Sequence, residues 1–208
     1  MSRPFVNTTD LSLHIPRLSR FKSTKFADKP KNNAAVFLDR DGLIIKDVNY
    51  LSDKCQIQII PQVTEGLIEL QDFFYLIIVT NQSGIARGIF SEQQLSVIHS
   101  DLVSRLERKG IVMDAIYYCP HLPDASVKKY RVECDCRKPN PGMLIRASIA
   151  WNLDLSRSYM LGDRRRDLEA GLAAGTRSIL IRSENSDCFS GYDEADNLSE
   201  AAAIILNS

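Results

Sequence analysis

Short apolar runs alternate with longer amphipathic stretches along most of this chain, and that alternation leaves few folds open. Runs at 34–38, 74–80, 114–118, 158–162 and 177–182 have the length and composition of buried strands, while 62–72, 91–109, 141–152, 165–174 and 197–206 read as helices. Strands separated by helices join through crossovers, so the expected fold is α/β, a doubly wound, Rossmann-like parallel sheet. Ser91-Glu92-Gln93-Gln94 starts the second helix with a capping box, and Gly110 marks its end. With 208 residues, 44% of them hydrophobic, the chain can bury a substantial core in one domain, expected over residues 34–208. No internal repeat or low-complexity tract interrupts it.

Open α/β sheets place their chemistry at the carboxyl ends of the strands. At the first such end, Phe37-Leu38-Asp39-Arg40-Asp41-Gly42 sets two carboxylates one residue apart where an apolar run stops and a glycine turns the chain. The pair suits a nucleophile and an acid/base partner, although calcium loops and Asx turns use the same residues. The second run ends in Thr80-Asn81-Gln82-Ser83-Gly84, with a hydroxyl, amides and backbone N–H groups for an anion. Arg137-Lys138-Pro139 precedes a helix that starts near Pro141, and Gly162-Asp163-Arg164-Arg165-Arg166-Asp167 supplies late carboxylates for a cation.

These four segments, in this order over roughly residues 34 to 182, resemble the motifs of the haloacid dehalogenase superfamily of phosphotransferases. The resemblance implies an aspartyl-phosphate mechanism with Asp39 as nucleophile and Asp41 as general acid and base. It implies that Thr80 and Lys138 hold the phosphoryl oxygens. Magnesium would be held by Asp39, the Asp41 carbonyl and Asp163, with Asp167 in the outer shell. The physical need is charge: an anionic carboxylate approaches an anionic phosphoryl group only with a hard cation between them. Only 41 positions separate Asp39 from Thr80 and 58 separate Thr80 from Lys138, too few for a large cap domain besides a helix and strand. An open site is expected, closed partly by the 43–60 segment and by the cysteine-bearing loop at about 119–136.

Cys119-Pro120-His121, twelve residues, then Cys134-Asp135-Cys136 has the composition of a closed Cys3His site for a structural zinc. Free cysteines or one surface disulfide are the plainer alternatives. A metal in this loop, about 119–136, would stiffen the segment that presents Lys138. With Thr80-Asn81-Gln82-Ser83-Gly84-Ile85-Ala86-Arg87-Gly88 and Cys134-Asp135-Cys136-Arg137-Lys138-Pro139-Asn140-Pro141-Gly142-Met143, this loop resembles the cap-less branch that removes the 7-phosphate of D-glycero-D-manno-heptose 1,7-bisphosphate. Relatives acting on histidinol phosphate have a shorter zinc loop and provide the second reading. The heptose resemblance implies that Arg87 and Arg137 read the distal part of a phosphorylated sugar, with Asp47, Val48, Asn49 and Tyr50 forming one wall. Asn81, Gln82, Ser83 and Arg164 complete the expected contacts.

Four positions depart from that family's pattern. Leu43-Ile44-Ile45 stands for Thr-Ile-Asn, Asn49 for a glycine that it can replace in a left-handed conformation, and Arg164 for a lysine. A non-catalytic binding protein on the same fold is the reading from another class, and the intact set of Asp39, Asp41, Thr80, Lys138 and Asp163 argues against it.

With 26 basic and 26 acidic side chains the chain has no overall field for nucleic acid, and no stretch of eighteen apolar residues could span a membrane. The first 33 residues, seven basic and two acidic, read as a flexible basic extension; an organellar transit peptide is the alternative, weakened by Asp10 and Pro16. Cys55 and Cys188 fall outside the metal pattern and are expected as free thiols in a reducing cytoplasm, the protein acting as a monomer. His99, mid-helix among Val97, Ile98 and Leu102, reads as a surface or packed histidine, His14 belongs to the extension, and Trp151 reads as packing.

Overall fold

The computed structural model describes residues 33–182 and 191–208, so the expected amino-terminal extension and Cys188 lie outside the described residues. Each apolar run becomes a parallel strand: β1 Ala35–Leu38, β2 Tyr75–Asn81, β3 Ala115–Cys119, β4 Tyr159–Gly162 and β5 Arg177–Ile181. The amphipathic stretches become α1 Val63–Leu70, α2 Glu92–Glu107, α3 Gly142–Trp151, α4 Arg165–Ala174 and α5 Leu198–Leu206. A further strand, β6 Asp193–Ala195, was not expected. It is Asp-Glu-Ala, with no apolar run to signal it, and it joins the sheet edge by backbone pairing alongside Ile179–Ile181.

Strand order is β3-β2-β1-β4-β5-β6, all parallel. The chain steps outward from β1 to β3 and then returns to the other side of β1, so the order reverses between β1 and β4. The carboxyl ends of those two strands flank the crevice where doubly wound folds bind their ligands. Both faces are covered, as a parallel sheet requires. Val36, Leu38, Leu76 and Ile78 face α1, α2 and α5 through Leu67, Leu102 and Ile205. Ala35, Phe37, Ile77 and Val79 face the other way, onto Met143, Leu144 and Ala147 of α3 and Ala170 of α4.

The Ser91 capping box forms as expected, its side chain accepting from Gln94 N. Leu43, Ile44 and Ile45, the departure from the family pattern, are fully buried, and Ile45 bridges Asp41 on one side and Ile59 on the other. An apolar side chain there contributes about 2 kcal/mol of burial where a polar one would need a partner. The substitution extends the core under the site rather than altering its surface. Trp151 packs its ring against Tyr75, centroids 5.4 Å apart. Among the described residues no helix is long and apolar enough to cross a membrane.

Candidate active site

Asp39 follows the last residue of β1, and its N–H donates to Leu161 O of β4 at 3.0 Å, which locks the two switch-point strands together. Its carboxylate accepts from Lys138 Nζ at 2.9 Å. The same ammonium donates to Val79 O at 2.7 Å and lies 2.7 Å from Asp167 Oδ1. Burial opposes the charge on Lys138, but Asp167 and then Asp39 outweigh it, and its pKa is raised above the ordinary lysine value. Asn81 aims this residue, its Nδ2 donating to Lys138 O at 3.0 Å while its Oδ1 accepts from Lys138 N at 3.1 Å. The carboxylate oxygens of Asp39, Asp163 and Asp167 lie within 4.8 Å of one another, all three residues buried. Burial pushes the Asp167 carboxyl up, with Lys138 pulling against it.

Gly42 makes this convergence sterically feasible. Its φ is +87°, and an added Cβ would stand 2.3 Å from Asp163 Oδ2. Lys138 and Arg164, whose Nε is 3.5 Å from Asp163, oppose three buried carboxylates. The residual negative charge and the all-oxygen donor set fit a hard divalent cation such as magnesium.

Asp41 is turned differently. Its carboxylate faces Arg40, with Nη2 at 2.8 Å from Oδ2 and Nε at 3.2 Å from Oδ1, and accepts from Gln82 Nε2 at 3.0 Å. Gln82 also donates to Thr80 Oγ1 at 2.8 Å, so the acid and the buried hydroxyl share one amide. A cleft of about 320 Å3 opens here, lined by Arg40, Asp41, Asp47, Asn49, Tyr50, Gln82, Ser83, Arg137, Arg164 and Arg166 among others. Asn49 takes φ +54°, the left-handed conformation expected for it, and Tyr50 follows at +69°. An Asx turn from Asn49 N to Asp47 Oδ1, 3.0 Å, holds this wall, and Arg164 Nη2 reaches Asp47 Oδ2 at 3.7 Å.

Two expected contacts are not brought to the cleft. Val48 packs its side chain against the core, and exposed Arg87 stands over the Tyr50 ring, 5.7 Å from its centroid, so it braces that wall instead of lining the cavity. Asp167, expected in an outer shell, holds Lys138 and belongs to the buried carboxylate cluster. Sequence reasoning missed Arg40, 1% exposed between the two aspartates, and the partner of its Nη1, His99 Nε2 at 3.0 Å. Leu95, His99, Leu102 and Leu106 share the buried stripe of α2, which was the available signal for the histidine. Arg166, the third arginine after Asp163, also lines the cleft.

Beside the site, Cys119, His121, Cys134 and Cys136 bring their ligand atoms within the same compact radius. Sulfur separations are 3.6 Å for Cys119–Cys134, 3.2 Å for Cys119–Cys136 and 3.3 Å for Cys134–Cys136, with His121 Nδ1 3.3 Å from Cys136 Sγ. These are far longer than a disulfide, about 2.05 Å, and approach the edge of about 3.8 Å for a tetrahedron with 2.3 Å zinc–sulfur bonds. Cys136 is pushed up in pKa, first by its hydrogen bond with Cys119 and then by burial, and burial pushes Cys134 up. Four such donors crowded together fit a zinc ion, which would draw the thiols into their thiolate form. Exposed Cys55 is a free thiol, as expected.

A doubly wound sheet with an aspartate pair at β1 and a lysine–carboxylate cluster at the switch point defines a haloacid dehalogenase-like hydrolase, and the HAD-hydrolase-like family profile matches residues 135–206. The D-glycero-β-D-manno-heptose-1,7-bisphosphate 7-phosphatase of Photorhabdus laumondii is 43% identical over 177 residues, covering 84% of this chain and 90% of that protein. The Escherichia coli K12 enzyme of the same name is 43% identical over 181 residues, covering 86% and 91%. In three dimensions the chain is similar to D,D-heptose 1,7-bisphosphate phosphatase from B. bronchiseptica, solved with magnesium and phosphate, at TM-score 0.73 and 31% identity, covering 84% of this chain and 98% of that one. The chain belongs to the D-glycero-β-D-manno-heptose-1,7-bisphosphate 7-phosphatase family of phosphatases.

Proposed function

We propose that this protein hydrolyses the 7-phosphate of D-glycero-D-manno-heptose 1,7-bisphosphate, supplying a precursor for surface glycans in the cytoplasm. The observation that carries this reading is the convergence of Asp39, Lys138 and Asp163 at the β1/β4 switch point of a chain 43% identical to enzymes of that name. Magnesium held by Asp39, the Asp41 carbonyl and Asp163 supplies, when bound, the positive charge that lets a carboxylate meet a phosphoryl group.

Asp39 Oδ attacks phosphorus, forming the aspartyl-phosphate bond as the ester P–O bond breaks, and Asp41 gives its proton to the departing alkoxide. Asp41, now a base, takes a proton from water as the water oxygen attacks phosphorus and releases inorganic phosphate and free Asp39. Lys138 and Thr80 take up charge on the phosphoryl oxygens, Lys138 being fixed on Asp39 and Val79 O. Arg137, Arg164 and Arg166 line the cleft where a second phosphoryl group of the substrate would lie, together with Asn81, Gln82, Ser83, Asp47, Asn49 and Tyr50.

The test is magnesium-dependent phosphate release from the heptose bisphosphate, run beside histidinol phosphate, with Asp39→Asn as the blank. Strong preference for the bisphosphate, abolished in the variant, is the expected result. Equal release from both substrates, or release by Asp39→Asn near the wild-type rate, removes this assignment.

A further inference from the structure

Arg40 is among the largest fully buried side chains, and a buried guanidinium requires its donors to be met. Nε and Nη2 are met by the Asp41 carboxylate, at 3.2 and 2.8 Å. Nη1 points the other way, to His99 Nε2 at 3.0 Å, and His99 is itself 0% exposed. An arginine N–H can only donate, so Nε2 must carry the lone pair, which makes His99 a neutral imidazole with its proton on Nδ1. The imidazole therefore satisfies the far edge of the guanidinium without bringing a second charge to the Arg40–Asp41 pair.

The ring is held from outside the site. His99 lies on the buried stripe of α2 and meets the Tyr118 ring edge-on, centroids 5.9 Å apart. Tyr118 in turn donates to Glu92 Oε2 at 2.9 Å, at the start of the same helix. From His99 through Arg40 the path to Asp41 thus runs through side chains 0% and 1% exposed, as positioning to a fraction of an ångström requires.

We propose that His99 is a positioning residue for the acid/base Asp41, acting through Arg40: it fixes the guanidinium edge on which the Asp41 carboxylate rests between proton transfers. This rests on the reading of Asp41 as the acid and base. Displacing a general acid without removing it lowers turnover more than substrate binding, since proton transfer belongs to the chemical step.

The expected result for His99→Leu is a fall of about tenfold in kcat with KM within about twofold. His99→Gln, whose amide oxygen can accept the same bond, is expected to recover turnover to within about threefold of wild type, a split that loss of packing would not produce. In an Asp41→Asn background His99→Leu should cost nothing further, because the two changes act on one step. On the unaltered protein, the nitrogen chemical shifts of His99 should report the neutral Nδ1–H form. The proposal falls if Gln behaves as Leu does, if the His99→Leu loss persists undiminished in Asp41→Asn, or if His99 is an imidazolium or carries its proton on Nε2. Normal turnover in Asp41→Asn would overturn the acid/base reading and this inference together; normal turnover in His99→Leu beside an inactive Asp41→Asn would overturn this inference alone.

Discussion

Lys138 donates to Asp39 and to the Val79 carbonyl and lies against Asp167, with no side-chain exposure of its own. Its charge is structural as well as catalytic, because Asp39 and Asp167 would otherwise face each other in a dry site. Lys138→Met should therefore lower the unfolding free energy by about 3–5 kcal/mol, read from the urea midpoint, in addition to abolishing turnover. A variant as stable as wild type would show that the carboxylates are neutralised by another route. At this scale the sequence marked Asp39, Asp41 and Asp163 through their positions at strand ends and Lys138 through its place just before a helix start. It was silent on Arg40 and, while it allowed a packed His99, gave no sign of its bond to Arg40, since the two meet across 59 positions of sequence.

Between β3 and α3, the Cys119–Cys136 loop turns one cluster of donors into a frame for the lysine that follows it. Cys134→Ser should lose zinc and thermal stability together; elemental analysis that still finds one zinc per chain would remove the site. The loop is also tied to α2. Glu92 accepts from Tyr118 and, on its other oxygen, from Tyr130 and Lys129. Burial pushes the Glu92 carboxyl upward, but these donors outweigh it, with Tyr130 foremost, and the net shift is below the usual 4.5. A carboxylate whose folded pKa is depressed stabilises the fold above its unfolded value, and that contribution is lost as pH falls through the folded one. A carboxyl titration of Glu92 by NMR should have its midpoint below 4.5, and Glu92→Gln should lower Tm at neutral pH while removing that acid-dependent part. A midpoint above 4.5 would contradict the assignment. The element pattern itself was readable from period and capping, helix by helix. β6 was not, because an edge strand of Asp-Glu-Ala carries no apolar signal.

Taken as a whole molecule, the chain balances 26 basic against 26 acidic residues, so cations gather only where the fold collects them, as Arg137, Arg164 and Arg166 do at the cleft. Duplex DNA or RNA should bind no tighter than about 0.1 mM at physiological salt, without the steep salt dependence of a phosphate-reading surface. A tighter, salt-sensitive affinity in a fluorescence polarisation titration would favour the binding-protein reading. What the sequence determined alone was everything local: the alternation of strand and helix, the residues at each strand end, and the spacing of the zinc ligands, because period, turn chemistry and motif order are properties of short segments. Only the tertiary structure decided which charges face which. It turned Asp41 onto Arg40 and Arg40 onto His99, put Asp167 on Lys138, took Val48 into the core and set Arg166 at the cleft, since those pairings depend on which strand ends the sheet order brings together and which side chains burial leaves facing one another.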